Sequence, residues 1–493
     1  MKDRSESGEI NRRNYLKGAA LVTGALALGG TSEAAAAVSQ SDTSRTGRPG
    51  ASAAENRALE GQGLNTYSRY KPSFGGPVNS PEYLGKLVPG LRGPGLPPVP
   101  VTTVDGSDLP WKMVGGVKEF DLVVEPVTRE FLPGFPMHVW GYNGSMPGPT
   151  IQAFQGDRVR INVHNRLPEV TTVHWHGLEL PNRYDGIPGV TQPPIKPGET
   201  FVYEFDLHQS GTFFYHPHTT MPEAFGMVGF FIIHPKIAYD PPVDRDFALV
   251  FQNFYVPPNG DIPDSWSMDW NWHTINGRSG PFTTPLVCKH GERVRIRIMD
   301  FSPIQHHPVH LHGHTFWITG HEGNRLPESA WVARNNALVA VAQAADVEFI
   351  AFNPGDWMLH CHMVHHMMNH MVKQVGPRIR PSGPSVEDFM ASPENRPRVE
   401  LVDTDSRFGV PGYPQMMQNM YMSKEAMMRI HNRREVKGMR EEWSMGVKGL
   451  MTTVRVLPED LFTKVMQTDD PVPPGASVPG NMGASGSAMK MNG

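Results

Sequence analysis

The 493-residue chain predicts an all-β fold: two tandem Greek-key β-sandwiches followed by a partly helical C-terminal extension. An internal repeat, a period-two hydrophobic pattern and regular turn punctuation carry that prediction. "GDRVRINVHN" from Gly156 matches "GERVRIRIMD" from Gly291 at an offset of 135 residues. "HWHG" at His174 matches "HLHG" at His310 at an offset of 136, and "HPH" at His216 matches "HCH" at His360 at 144. Near-constant offsets over three segments imply two copies of one domain of ordinary size. Within the copies Val159, Ile161 and Val163 alternate with Arg158, Arg160 and Asn162, and Val294, Ile296 and Ile298 with Arg293, Arg295 and Arg297. Phe201, Tyr203, Phe205 and Leu207 alternate in the same way. One apolar face at period two is the pattern of strands packed on one side. "SMPGPT" and "IKPGET" supply turns between them.

In chain order, residues 1–37 read as an export signal: Arg12 and Arg13 precede an apolar, Gly-rich run, and Ala35-x-Ala37 offers a cleavage site. The run is too short to span a bilayer. It resembles a twin-arginine signal, which exports folded proteins and would place the mature chain in the periplasm or outside the cell. Residues 38–115, rich in Pro, Gly and Ser, read as an irregular N-terminal arm. The first sandwich is expected over 116–236 and the second over 245–380, joined by the short "HPKIAYDPPVDRD". Residues 381–467 have no partner in the repeat. There "SKEAMMRIHNRREVKGMREEW" and "PEDLFTKVM" read as helices, the latter opened by Pro458. Residues 468–493 read as a disordered tail.

A net charge of −4 excludes the strongly basic balance of a nucleic-acid binder, and two cysteines exclude a disulfide framework. The unusual entries are 22 His and 27 Met. "HCHMVHHMMNHM", from His360 to Met371, concentrates them around Cys361. A blue-copper site needs two imidazoles and a thiolate in a trigonal plane with a weak axial thioether. Cys361, His366 and Met371 have the spacing for three of these, and "HHPVHLHGH" offers His307. Residues i and i+2 of a strand share a face, so the pairs His174/His176, His216/His218, His310/His312 and His360/His362 each aim two imidazoles at one place. Eight converging imidazoles match a cluster of three coppers. Cys361 then points to the opposite face, and the His-Cys-His tripeptide becomes a covalent link between the two sites.

Together "HWHG", "HPHT", "HPVHLHGH" and "HCHMVHHMMNHM" resemble the four copper motifs of the multicopper oxidases, which include laccases; the resemblance covers about residues 116–376. It implies the cupredoxin fold and four coppers. The type 1 copper falls to His307, Cys361, His366 and Met371. The type 2 copper falls to His174 and His310, and the type 3 pair to His176, His216, His218, His312, His360 and His362. Donor electrons would enter through an exposed edge of His366. Asp185, in "NRYDGIPGVTQ", matches an acidic position that helps deliver protons to the cluster, or is simply an Asp-Gly turn. His174 and Cys361 lie 187 residues apart, leaving no room for a middle domain, and Pro217 stands where a first-copy cysteine would be. This is similar to the two-domain, small-laccase type, in which homotrimers share clusters between subunits.

The implied activity is four one-electron oxidations of a donor, phenolic by resemblance, coupled to reduction of O2 to water. Met416, Met417, Met420, Met422, Met427 and Met428 leave a second donor open, a metal ion such as Cu(I); the plainer reading is an apolar helix stripe. Copper nitrite reductase also has two cupredoxin domains, but Pro217 and the four H-x-H pairs argue against it. A periplasmic copper carrier would not need the cluster. His164, His208, His234, His273, His290 and His321 read as surface or turn residues, His314 as a supporting residue, and Cys288 as an inert buried thiol. The sequence departs from the family pattern at Met363, Val364 and His365, where a carboxylate is common, and at His370, where glycine usually precedes the axial methionine.

Overall fold

The structure is a computed structural model that describes residues 96–239, 241–257, 260–268, 270–368 and 423–477. The export signal, most of the arm, Met371 and the methionines from Met416 to Met422 lie outside the described residues. Four sheets form two cupredoxin-like sandwiches. In the first, the sheet built on Val117–Leu132 and Arg158–Asn165 faces a second sheet carrying His174–His176, Gly211–His216 and Gly229–His234. Their inward residues, including Leu122, Ile161, Trp175, Tyr203 and Phe231, make one core. In the second sandwich Arg245–Phe254, Arg293–Asp300 and Ala344–Ile350 lie in one sheet, and His307–Leu311 and Gly355–Cys361 in the other.

Three boundaries differ from the sequence reading. Order begins before residue 116: Thr102–Thr103 pairs in parallel with Arg245–Phe254, and Trp111–Val114 pairs with Val117–Leu132. The second sandwich does not end at 380. Met451–Leu457, from the segment read as an extension, lies between Leu286–Lys289 and Gly355–Cys361 as an interior strand. Its sequence "MTTVRVL" is β-branched and almost wholly buried, as an interior strand requires. The helical part is also shorter than expected. Ser423 caps a helix over Lys424–His431 by accepting from Ala426 N, and the rest becomes short turns. Met427 packs against the apolar cluster containing Ile430, whereas Met428 is exposed. Glu459–Met466 is helical after Pro458. Residues 468–477, read as tail, pack back: Ser477 Oγ donates to the Asp356 carboxylate and Gly475 N donates to Met439 O.

The arginine face of the repeat is not solvated. Every residue of Arg293–Asp300 is buried. Arg295 donates to Glu348 at 2.9 Å and Arg297 to Asp246 at 2.8 Å, while Arg293 and Arg325 also close on Glu348. The network reaches the first sandwich, where Thr212 Oγ1 donates to Asp346 at 2.6 Å and accepts from Arg297. Beside it, Phe214, Phe230 and Ile232 of the first sandwich pack on Ala248, Val250 and Met299 of the second. Alternation therefore persists, but the second face meets the neighbouring domain instead of water. Burial alone would raise the Glu348 carboxyl, yet Arg295, Arg325 and Arg293 hold it well below the ordinary glutamate range.

Glu348→Ala leaves those cations buried without their shared counter-charge and is expected to cost about 3–5 kcal/mol, read as a fall in Tm. Because the folded carboxyl is depressed, the stabilisation it provides is complete above the ordinary glutamate range and is lost as pH falls below that range toward the depressed folded value. Tm of the wild type should accordingly drop more steeply on acidification than that of Glu348→Gln.

Candidate metal centre

Two cross-strand registers position the imidazoles. His174–His176 pairs antiparallel with Gly211–His216 so that His174 stands opposite His216. In the second sandwich His310 stands opposite His360 in the same way. The repeat thus extends from sequence to register. It also extends to hydrogen bonding. His174 Nδ1–H donates to Asp185 O at 2.6 Å, and His310 Nδ1–H to Asn335 O at 2.5 Å. His216 Nδ1–H donates to Pro217 O at 2.8 Å, and His360 Nδ1–H to Cys361 O at 2.9 Å. Each carbonyl fixes a tautomer that leaves Nε2 as the free lone pair, the arrangement a metal-binding imidazole needs.

The first set is compact. His174 lies 5.3 Å from His216 and 5.6 Å from His218 between ring centroids, and His176 lies 5.6 Å from His216. Donor atoms of His174, His176 and His216 fall within 4.8 Å of one another. In the second set His310 lies 4.7 Å from His312, 5.6 Å from His360 and 5.6 Å from His362. His312 Nε2 and His360 Nε2 approach to 3.0 Å. Burial holds His176 and His360 down at about 4, so both are neutral donors at physiological pH. Among the described residues, no ring contact joins the first set to the second. His218, His312 and His362 are exposed.

Asp185 sits on the turn after Asn182–Tyr184. Its backbone carbonyl orients His174, and its carboxylate Oδ1 lies 3.5 Å from the same Nδ1. Gly186 follows at φ +86°, where a Cβ would fall 2.0 Å from Val173 O, so only glycine lets this turn close on the strand bearing His174.

The third constellation is His307, Cys361 and His366, all fully buried. Its donor atoms also lie within 4.8 Å of one another. Cys361 Sγ is 3.4 Å from His307 Nδ1 and 3.4 Å from His366 Nδ1. Both rings spend Nε2–H outward, His307 on Ser302 Oγ at 2.7 Å and His366 on Gln305 Oε1 at 2.5 Å. Their Nδ1 lone pairs therefore face the sulfur. Burial pushes the Cys361 thiol up to about 12 and holds His366 at about 4. A buried thiol between two neutral imidazole lone pairs fits a soft cation that would carry the thiolate. Neighbouring His306 is exposed and donates nothing to this centre.

One sequence expectation fails here. His366 has no exposed edge: it is 2% exposed. His273 stacks on it at 4.8 Å, and Gln305 Oε1, which caps Nε2, also accepts from Asn253 Nδ2 at 2.7 Å. His273 itself donates to Asn253 Oδ1 at 3.0 Å. His273 was read as a surface residue, and nothing in "NWHTING" marks it otherwise, because its partner Asn253 lies on the adjacent strand. His234 is likewise buried, 2.9 Å from Gln152 Oε1. His314 packs among Phe349, Phe352 and Trp357, and the Cys288 thiol donates to Arg455 O.

Comparisons with known proteins bear on the family of the chain. A family model described as multicopper oxidase matches residues 123–237, and a second with the same description matches 254–378. Laccase-1 of Fomitopsis schrenkii is 32% identical over 231 residues, covering 43% of this chain and 42% of that protein. Copper resistance protein A of Escherichia coli is 35% identical over 136 residues, covering 28% and 22%. The solved multicopper oxidase mgLAC is 31% identical, covering 51% of this chain and 81% of that one with a TM-score of 0.46. The chain spans less than half the length of the curated relatives it matches. Two matched sandwiches, each carrying its pair of H-x-H motifs at the same register, place this chain in the multicopper oxidase family.

Proposed function

We propose that the protein is an exported, copper-dependent oxidase that couples one-electron oxidation of a small donor to reduction of O2 to water. The observation that supports it best is the position of Cys361: its sulfur faces His307 and His366, while its sequence neighbours His360 and His362 belong to the open imidazole set. When bound, copper supplies reversible one-electron transfer at the thiolate centre and four-electron reduction of O2 at the imidazole cluster. The residues that would hold it are His307, Cys361, His366 and, outside the described residues, Met371 at the type 1 centre, His174 and His310 at type 2, and His176, His216, His218, His312, His360 and His362 at type 3. Asp185, whose carboxylate lies 3.5 Å from His174 Nδ1, helps deliver protons to the cluster in this reading.

The two imidazole sets open to the surface without meeting each other supports a shared site. A homotrimer in which the first sandwich of one subunit faces the second of its neighbour would complete each cluster, as the small-laccase resemblance implies. The twin-arginine signal suits this assembly, since folded, metal-loaded chains are its cargo.

A second donor class has its own support. With His366 covered by Gln305 and His273, a bulky phenol finds no imidazole edge, whereas Met363 and Met367 stand on the same short turn, Met363 being 40% exposed. Thioethers bind Cu(I), so a metal ion is the alternative donor.

Cys361→Ser should abolish the blue absorbance and O2 uptake together while leaving Tm of the metal-free protein nearly unchanged; survival of both signals would refute the oxidase. Asp185→Asn retains the backbone bond to His174 and should keep the blue band but slow its return after reduction, followed by stopped flow on mixing with O2. Sedimentation of the copper-loaded protein should give a trimer, and a fully active monomer would reject the shared cluster. Turnover on a phenol and on Cu(I), compared before and after Met363→Leu, distinguishes the donors: only Cu(I) oxidation should fall.

A further inference from the structure

The outer nitrogen of His366 begins a chain of hydrogen bonds that leads away from the thiol centre and ends on His273. His366 Nε2–H donates to Gln305 Oε1 at 2.5 Å, and the same oxygen accepts from Asn253 Nδ2 at 2.7 Å. Asn253 Oδ1 in turn accepts from His273 Nδ1–H at 3.0 Å. Asn253 and His273 stand opposite each other on adjacent strands, and each is 1% exposed. The His273 ring also lies over that of His366, with 4.8 Å between centroids.

A carboxamide can turn over and exchange its acceptor for its donor, so neither amide alone decides which nitrogen of His366 carries the proton. With both turned over, Gln305 would present an N–H to His366 Nε2. The proton would then sit on Nδ1, pointing at Cys361 Sγ 3.4 Å away, and the lone pair that a metal needs would be gone. The far end of the chain separates the two arrangements. In the reversed one Asn253 would donate to His273 Nδ1, and the His273 proton would have to sit on Nε2. That nitrogen is buried and meets no hydrogen-bond partner among the described residues. A buried N–H without an acceptor is rarer than an acceptor left unmet, because it keeps the full cost of its lost hydration. The chain is therefore biased toward the direction observed.

We infer that His273 positions His366 in its metal-binding tautomer: through Asn253 and Gln305 it keeps the His366 proton on Nε2 and leaves the Nδ1 lone pair facing Cys361. His273 touches neither the sulfur nor a metal held beside it, and acts through the two amides. This rests on the copper reading of the Cys361 centre and adds to it a residue outside the donor set.

The test begins with metal-free, full-length protein carrying nitrogen-15 histidine, its His366 signals isolated by comparison with His366→Asn. The wild type should show the His366 proton on Nε2; a proton on Nδ1 would overturn the inference. His273→Phe keeps a ring over His366 but removes the N–H that Asn253 accepts, and should move the proton toward Nδ1. In copper-loaded protein the same variant should surrender its blue band to a competing chelator about 10–100-fold more readily, the usual loss when an outer partner of a ligand histidine is removed. Adding Gln305→Glu, whose carboxylate offers only acceptor oxygens, should return the proton to Nε2 and recover copper retention. A packing role for His273 would not be rescued from position 305. An unmoved proton in His273→Phe, or no recovery in the double variant, would sink the assignment. A wild type that takes up copper without a blue band refutes the copper reading alone, since the nitrogen spectra are read without metal.

Discussion

An extended strand sends successive side chains to opposite faces, and the segment Gly355–Cys361 turns that constraint into an arrangement of sites. Cys361 faces a closed, apolar interior with His307 and His366. His360 and the residue after the strand, His362, lie with His310 and His312 at the open side. No loop could hold two donor sets apart yet one peptide bond from each other with the same economy. Register does the rest. His174 opposite His216 and His310 opposite His360 bring in the second motif of each sandwich without any long-range folding device beyond the ladder itself.

The difference between the sets lies in solvation. The thiol centre is dry, and that dryness is visible in its protonation. Burial drives the thiol up and the imidazoles down, so all three donors are neutral in the metal-free protein and the cavity carries no net charge. A soft cation held there would take the place of the thiol proton between His307 and His366. The outward nitrogens are tied to Ser302 and Gln305, so the donor side is fixed before any metal arrives. At the open sets, main-chain carbonyls do the same work from Asp185, Pro217, Asn335 and Cys361. Orientation by carbonyls leaves side chains free, which is why residues as different as proline and asparagine can serve.

Much of this was legible in the sequence because period two and H-x-H spacing are local. The sandwiches and the paired imidazoles follow from strand alternation. What was not legible depends on contacts between distant segments. The arginines of Arg293–Asp300 alternate as though solvated, and only the first sandwich, meeting them through Thr212, shows why they are buried. His273 looks like any isolated histidine until the pairing of Trp272–Ile275 with Arg245–Phe254 sets it beside Asn253 and over His366. The strand Met451–Leu457 escaped notice because the repeat suggested that the second sandwich was complete before residue 380. A repeat detects what two copies share, and residues 369–448 interrupt only the second.

That interruption has a structural logic of its own. The final strand of the second sandwich must pair with Gly355–Cys361 to complete the sheet, wherever in sequence it comes from. Loop-closure entropy grows only slowly with length, so a long insertion between two paired strands costs little more than a short one once its ends are anchored. Here the anchors are tight: Leu450 is bonded to both Cys361 and His366 on one side of the insertion, and Met368 lies against Gly449 on the other. Arg455, buried at the far end of the strand, then ties Asp356 to the main chain at Glu435 and Lys437. The turn at Arg434–Val436, near the end of the insertion, is thereby fastened to the strand that pairs with Gly355–Cys361.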